Sequence, residues 1–270
     1  MQLYRGMDIG TAKATPEERA RVPHHLVDVL EVTEPASVAQ FQGWARTTMA
    51  EIWGRDRLPV LVGGSALYTR AVIDRFEFPG TDPDVRAGLE QELAEVGPAV
   101  LHERLRRLDP VAAEAIEASN TRRVVRALEV LAITGRPFSA RLPPLEYREQ
   151  GTVQIGLDVP REVLDARIEA RVHHMWEQGL VDEVRLLVAR GLRQGRTASR
   201  ALGYQQVLAF LDGECTQDEA RAATVAATRR FARRQESWFR RDPRVRWLPH
   251  DHPHLLAAAA DLAGCLPSSL

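Results

Sequence analysis

The sequence predicts an α/β protein with a parallel sheet, and three observations favour this class. An apolar run from Val60 to Val62 passes through two glycines directly into a helical pattern. A strand that is apolar on both faces and leads straight into a helix is typical of parallel sheets. A second strand pattern, "TVQIGLDVP", spans 152–160, and helical patterns lie before it and continue after it to Arg241.

The remaining elements follow from local signals. Residues 24–32 are rich in apolar and β-branched side chains, which indicates a short strand or an extended loop. Four helices are predicted to begin after residues that can cap a helix N-terminus: Ser37, Ser65, Asp82 and Asn120. A capping box from Thr216 to Glu219 begins the last long helix, and "RVRWLP" predicts a closing edge strand.

The domain boundaries come from the point where strands stop alternating with helices, since no internal repeat or low-complexity linker divides the chain. That point lies near Pro160. We expect an α/β catalytic core at 1–165 and 225–250, a helical insert at 166–224, and a C-terminal tail at 251–270.

Composition predicts a globular protein with reduced cysteines. Of the 270 residues, 44% are hydrophobic, which is enough for a substantial core. The chain has no apolar run of about 18 residues and no signal or transit pattern, so we expect a cytoplasmic protein without a membrane partner. Cys215 and Cys265 lack the spacing of a disulfide framework or a zinc ribbon, and the histidines lack a metal-binding pattern.

Positive charge is concentrated near the end of the chain, although the formal net charge is only −1. Nine arginines stand between 221 and 246 against two acidic residues. The clustering is informative rather than the choice of arginine, because Lys13 is the only lysine. Several arginines recur near the helical period and alternate with Phe231, Trp238 and Phe239, which suits RNA phosphates and stacked bases. Packing of these aromatics into the core is the alternative, but it leaves the charges unexplained.

The turn Gly63-Gly64-Ser65 lies between a predicted strand and a helix. Glycines allow close backbone approach, and the amides of a first helical turn favour phosphate. A tight turn with Ser65 as an ordinary N-cap is an equally good interpretation. The turn is not a Walker A loop, because that pattern occurs nowhere in the chain.

Two further groups of cations suggest anionic ligands. In the opening loop, Arg5 and Lys13 flank glycines, which suits a polyphosphate, although a solvated surface loop is the commoner case. The other group lies in the first turns of a helix, where cations oppose the helix dipole. An anionic partner or salt bridges to Glu117 or Glu129 would explain this second group: Arg122, Arg123 and Arg126.

Eight ordered motifs resemble the tRNA dimethylallyltransferase (tRNA isopentenyltransferase) family over nearly the whole chain. They are "QLYRGMDIGTAK", "VPHHLVDV", "LPVLVGGSALY", "DPDVR", "NTRRVVRALEV", "ALGYQQV", "ATRRFARRQESWFRR" and "VRWL". Members of this family resemble nucleotide-binding, ATP-binding P-loop kinases in their core. The resemblance therefore implies a P-loop-kinase-like parallel sheet core with a helical insert domain.

The resemblance implies transfer of a dimethylallyl group from dimethylallyl diphosphate to N6 of the adenosine adjacent to the tRNA anticodon, releasing diphosphate. The implied partners are therefore tRNA and dimethylallyl diphosphate, with Mg²⁺ as the cofactor. A weakly nucleophilic amine gains from a carboxylate base, and a departing diphosphate needs cations and amide donors. We also expect a monomer.

The family motifs assign roles to particular positions. Ser65 stands near the reacting bond, where the family often has Thr, and Arg86 is the expected substrate contact. The residue types of the opening loop and the glycine turn, described above, predict Lys13, Gly63 and Gly64 as diphosphate ligands. The resemblance places tRNA contacts in three segments, comprising Met1, Gln2, Arg122, Arg123, Val124, Val125, Arg126, Thr228, Arg229, Arg230, Arg233 and Arg234.

The chain departs from the family pattern at its beginning. In the family, Asp-Ser precedes the motif that begins here as Met1-Gln2, and that Asp is the expected base. A strand, a P-loop and a helix come before it, so we expect an N-terminally truncated chain that is aggregation-prone and transfers little or no prenyl group. A non-catalytic tRNA-binding remnant and a P-loop nucleotide kinase are the alternatives.

Overall fold

The computed structural model of the chain describes residues 1–138 and 144–264. Most of the regular backbone in these ranges is helical: α1 (Pro16–Arg21), α2 (Val38–Trp53), α3 (Ala66–Ile73), α4 (Pro83–Leu108), α5 (Pro110–Ala115), α6 (Thr121–Thr134), α7 (Arg161–Glu177), α8 (Leu180–Ala189), α9 (Tyr204–Leu211), α10 (Gln217–Phe239) and α11 (Leu255–Leu262). Short 3-10 turns lie at Leu192–Gln194 and Ala198–Arg200, and the strands are β1 (Gln154–Asp158) and β2 (Val245–Pro249).

The first of two compact units contains Met1–Asp74 and Tyr147–Leu270. Its main core forms where α7, α8, α9 and α10 pack around the residues that open the chain. Tyr4, Met7 and Tyr204 are completely buried in this core. The opening segment is therefore an integral part of the unit and not a solvated surface loop.

The second compact unit is Arg75–Glu146. Here α4 and α6 pack against each other and bury Leu101 and Leu128 between them. Gly97 interrupts α4 with a φ of 80°, in the left-handed region that glycine adopts without a Cβ clash. The unit therefore has its own hydrophobic core, built from helices whose apolar faces meet.

The described strands form one parallel pair, in which β1 lies beside β2 and Gly156 is opposite Trp247. A Cβ on Gly156 would lie 2.7 Å from the indole ring of Trp247, so this position requires glycine. An isolated parallel bridge joins Tyr4 to Leu30 in the segment predicted as a short strand or extended loop. The α/β class predicted from the sequence is confirmed.

The strand predicted at Val60 to Val62 is wrong. These residues belong to no strand in the described part of the chain, and Val60 and Val62 are 75% and 89% exposed. An apolar run becomes a strand only where neighbouring strands accept its backbone hydrogen bonds. The helix predicted to follow is nevertheless present as α3.

The observed helix starts agree with those predicted from N-capping residues. Four predicted caps accept a hydrogen bond from a first-turn backbone amide: Ser37, Asp82, Asn120 and Thr216. Gly135 ends α6 with a φ of 65°. The compact units divide the chain at 74/75 and 146/147, whereas the helical insert at 166–224 stays a prediction.

Candidate functional site

The glycine turn leads into α3 with Ser65 at the N-cap position. The Ser65 carbonyl accepts hydrogen bonds from the Thr69 amide at 2.9 Å and the Thr69 hydroxyl at 3.0 Å. The Ser65 side chain is exposed and makes no capping hydrogen bond. Ser65 is therefore not an ordinary side-chain N-cap, and its hydroxyl can be approached by a ligand.

The arginine-rich helix α10 contacts this turn through Gln235. The side-chain amide of Gln235 donates to the Gly64 carbonyl at 2.5 Å. A Cβ on Gly64 would clash with that amide, whereas one on Gly63 would meet open space. The first unit therefore places the predicted diphosphate turn beside the predicted tRNA-binding helix.

The arginines predicted to contact tRNA on α10 differ in their partners. Arg229 donates to the Glu169 carboxylate at 2.7 Å and to the Asp165 carbonyl at 3.2 Å. Its guanidinium therefore has protein partners. Three exposed arginines have no carboxylate partner among the described residues: Arg230, Arg233 and Arg234. The Thr228 hydroxyl donates to the helix backbone at 2.8 Å. Among the described residues, the positive charge of α10 is thus only partly neutralised.

The structure surrounds Lys13 with acceptors from its own unit. Its buried ammonium donates to Asp8 Oδ1 and Asp28 Oδ1 at 2.6 Å each, and to the Tyr4 carbonyl at 2.8 Å. Burial disfavours ionised Asp28, but hydrogen bonds from Lys13 and Arg19 outweigh it and lower the pKa of Asp28. All three donors of Lys13 are engaged, so diphosphate binding by Lys13 would require these bonds to break.

A cleft of about 930 Å³ lies beside the opening loop and α7. Its lining carries both positive and negative side chains, among them Arg5, Arg19, Arg171, Asp8 and Asp28. The glycine turn does not line this cleft. This cleft therefore does not bring Arg5 and Lys13 together with the predicted diphosphate turn.

Arg86 and Arg126 share one buried carboxylate in the second unit. Glu129 accepts from Arg86 Nη2 at 2.5 Å and from Arg126 Nη1 at 2.8 Å. Arg126 also donates to the carbonyls of Pro79 and Gly80. Burial opposes ionisation of Glu129, but the two arginines outweigh it and lower the pKa of Glu129 below its usual value. The salt-bridge interpretation is therefore correct for Arg126.

The other members of the predicted tRNA segment on α6 lie on two faces. Arg122 and Arg123 are exposed at the start of the helix. Val124 and Val125 are only 1% and 5% exposed and pack in the core of the second unit. Their side chains face the core of this unit, and the tRNA contacts predicted at these two positions stay a prediction.

The first two residues lie at the surface of the first unit. Met1 is 44% exposed, and Gln2 is also exposed. The side-chain amide of Gln2 donates to the carbonyls of Thr11 and Ala12 at 3.1 Å each. The predicted tRNA contact Gln2 is thus oriented by the opening loop.

The residues present do not form a magnesium site by themselves. Across 1–138 and 144–264, no three histidine, cysteine, aspartate or glutamate side chains come together as metal ligands. The Ser65 hydroxyl is the side-chain oxygen at the glycine turn, and one hydroxyl does not hold Mg²⁺. Cys215 is a free, partly buried thiol, and Cys265 lies outside the described residues.

Sequence reasoning missed Gln235, although it lies inside the motif "ATRRFARRQESWFRR". Its partner carbonyl is 171 residues away in the sequence, and no local pattern marks such a contact. The only available signal was the position of Gln235 within a basic helix.

These features define an α/β protein with a candidate anion-binding turn held against a basic helix, a combination that suits a transferase acting on a phosphorylated donor and a nucleic acid. Residues 2–242 match the family model described as IPP transferase. The chain belongs to the IPP transferase family. This membership decides against the nucleotide-kinase alternative.

Named relatives are similar over most of their length. A tRNA dimethylallyltransferase of Nocardioides sp. is 61% identical over 97% of this chain and 84% of the relative. One from Thermobifida fusca is 64% identical over 96% of this chain and 81% of the relative. The resemblance inferred from the ordered motifs is confirmed.

Solved structures agree with the fold. The tRNA isopentenylpyrophosphate transferase of Bacillus halodurans has a TM-score of 0.68 and 41% identity, covering 98% of this chain and 85% of that chain. A eukaryotic dimethylallyltransferase acting on tRNA has a TM-score of 0.80 at 21% identity, covering 100% and 73% of the two chains. At that identity the second likeness shows the fold alone.

Proposed function

We propose that this chain acts in the transfer of a dimethylallyl group from dimethylallyl diphosphate to N6 of the adenosine adjacent to the tRNA anticodon, releasing diphosphate. One observation carries the proposal: Gln235 joins the glycine turn to the arginine-rich helix at 2.5 Å. The relatives named tRNA dimethylallyltransferases support the reaction class. A diphosphate and an RNA are both anionic, and they would meet the two elements that Gln235 connects.

Each part of the glycine turn has a proposed chemical role. The amides at Gly63 and Gly64 lie ahead of α3, where the helix dipole stabilises the negative charge of the diphosphate. The exposed Ser65 hydroxyl would donate to an oxygen near the breaking bond. These donors act on the charge that develops on the leaving group, which is where a transferase gains most from them.

The proposed tRNA contacts on α10 are Arg230, Arg233 and Arg234, because they are exposed and have no carboxylate partner in the described chain. In the second unit, Arg122 and Arg123 are exposed and stay in the proposal, and Arg86 stays as the substrate contact. We leave out the side chains of Val124 and Val125, which are buried, and Lys13, whose donors are engaged. Met1, Gln2, Arg126, Thr228 and Arg229 also stay in the proposal as tRNA contacts.

The cofactor, the oligomeric state and the cellular location of the protein also remain proposals. Mg²⁺ would accompany the diphosphate, since magnesium commonly binds through substrate phosphates. A monomer and a cytoplasmic location are proposed from the sequence and the family. Among the described residues, no helix is both long and apolar enough to cross a membrane.

The proposal is tested by incubating the full chain with tRNA, dimethylallyl diphosphate and Mg²⁺ and measuring prenylated adenosine by mass spectrometry of the digested tRNA. S65A should lower the yield at least tenfold, and S65T should retain most of it, because only the second keeps the hydroxyl. Chelation of Mg²⁺ should abolish the product.

The same assay distinguishes the proposed reaction from a binding remnant. Salt-dependent tRNA binding without product would favour the remnant and agree with the expectation of little or no transfer. Product formed equally by the parent and by S65A would contradict the role of Ser65. Product formation by the parent would contradict the expected impairment, which stays a prediction.

A further inference from the structure

One carboxylate from α8 holds three consecutive amides of the opening loop. Glu183 Oε2 accepts from the amides of Asp8 at 3.0 Å and Ile9 at 2.7 Å. Glu183 Oε1 accepts from the amide of Gly10 at 3.3 Å and from the hydroxyl of Tyr204 at 2.5 Å. Successive amides that converge on one anion form an anion-binding nest, and here a side chain of the same chain fills it.

The packing behind the nest fixes the loop in this position. Tyr204 is fully buried, and a Cβ on Gly10 would lie 2.5 Å from its ring. Burial raises the pKa of Tyr204, and the nearby charge of Glu183 raises it further, so the phenol keeps its proton as a donor. The loop therefore packs closely against Tyr204 of α9 and is held by three amide hydrogen bonds to the Glu183 carboxylate, which also accepts from Tyr204.

The loop in turn orients Gln2. Beyond Gly10, the carbonyls of Thr11 and Ala12 accept both hydrogen bonds from the Gln2 side-chain amide. The Thr11 hydroxyl donates to the Met7 carbonyl at 2.6 Å, which ties this part of the loop to the buried segment. A chain of direct contacts thus runs from Glu183 through the loop to Gln2.

We infer that Glu183 is a positioning residue for tRNA binding: it holds the opening loop so that the loop carbonyls present Gln2 to the RNA. The inference rests on the proposed function, in which Gln2 contacts tRNA. Charge matters here, because hydrogen bonds to an ionised acceptor are about twice as strong as neutral ones. Loss of that charge loosens the loop and leaves Gln2 poorly oriented.

The experiment compares E183Q with D182N in the full chain. Asp182 directly precedes Glu183 on α8, is exposed, and pairs with Arg185 on the surface, so D182N is a matched control. The tRNA dissociation constant is measured at fixed salt, and hydrogen exchange is followed at the amides of Asp8, Ile9 and Gly10. E183Q should bind tRNA about tenfold more weakly and exchange faster at the three amides, whereas D182N should match the parent.

A double-mutant cycle with Q2A distinguishes positioning from general stability. If Glu183 acts through Gln2, E183Q should weaken binding much less in the Q2A background than in the parent. Additive losses would overturn the inference. Should E183Q fail to fold, Y204F carries the same cycle, since it removes one of the four donors, and a smaller but equally non-additive loss is expected.

The remaining outcomes separate the inference from the proposed function. Weak binding by Q2A with parent-like binding by E183Q would overturn the role of Glu183 and leave that of Gln2 intact. Parent-like binding by Q2A would overturn the proposed Gln2 contact, and the inference with it. Unchanged exchange at the three amides in E183Q would overturn the anchoring of the loop.

Discussion

Replacement of Glu129 by glutamine should destabilise the second unit and make its stability less sensitive to acid. Glu129 is completely buried and accepts from two arginines and from the amide of Asp82. Removing one partner of a fully buried ion pair costs about 3–5 kcal/mol. The side chains of Arg86 and Arg126 are partly exposed and can be hydrated when released, so we expect about 2 kcal/mol.

The assay is thermal unfolding of the full chain, in which about 2 kcal/mol corresponds to a Tm lower by roughly 4–8 °C. The matched control is E92Q, because Glu92 forms a partly exposed ion pair with Arg104 in the same unit. A pair of that kind contributes about 0–1 kcal/mol. E92Q should therefore lower the Tm by at most a few degrees.

The pH dependence gives a second readout with a definite sign. Since the pKa of Glu129 is lowered in the folded protein, its charge stabilises the fold above the ordinary value of 4.5. That stabilisation is lost as the pH falls through the lowered pKa. The difference between parent and E129Q should be constant near pH 7 and shrink below about pH 4.5. An E129Q variant no less stable than E92Q, or a difference that grows with acid, would refute this reasoning.

Three other predictions concern positions elsewhere in the chain. G43A should raise the free energy of unfolding by about 0.5–1 kcal/mol, because Gly43 lies inside α2, where alanine is favoured over glycine, and a Cβ there meets open space. Urea titration measures this change, and a destabilised variant would contradict it. R233A should reduce the slope of log affinity for tRNA against log salt concentration by about one, because one phosphate contact is lost. R193A is the control and should leave the slope unchanged, since Arg193 is paired with Asp212 on the surface. Equal slopes for the two variants would refute the contact between Arg233 and tRNA. R244A should lower the free energy of unfolding by about 1–3 kcal/mol, because buried Asp74 loses one of its two guanidinium partners and keeps Arg70. An R244A variant as stable as the parent would be incompatible with that.

Features encoded by neighbouring residues could be predicted from the sequence. The caps of α2, α4, α6 and α10 depend on a side chain and an amide a few residues away, and all four are present. The strands β1 and β2 lie within the predicted segments. The run from Val60 to Val62 failed because a strand also needs a partner, which the run itself does not specify.

The candidate site was predictable in its parts but not in its connections. The glycine turn and the arginine helix were recognised separately, whereas the Gln235 bond between them spans 171 residues of sequence. Val124 and Val125 were included because they stand inside a motif, although adjacent helical positions point in different directions and these two face the core. Lys13 was assigned from its charge, and only the folded chain reveals its three acceptors.

The pairing of β1 with β2 has a consequence for how the polypeptide acquires its structure. Each strand is the other's neighbour in the described sheet, yet about ninety residues of chain separate them, with α7 to α10 in between. Such a distant contact raises the contact order and slows folding. At a synthesis rate of about 5–20 residues per second, the ribosome synthesises β1 roughly 5–20 s before β2. During that interval the exposed edge of β1 is open to other chains, so folding during translation favours helix formation first and strand pairing last.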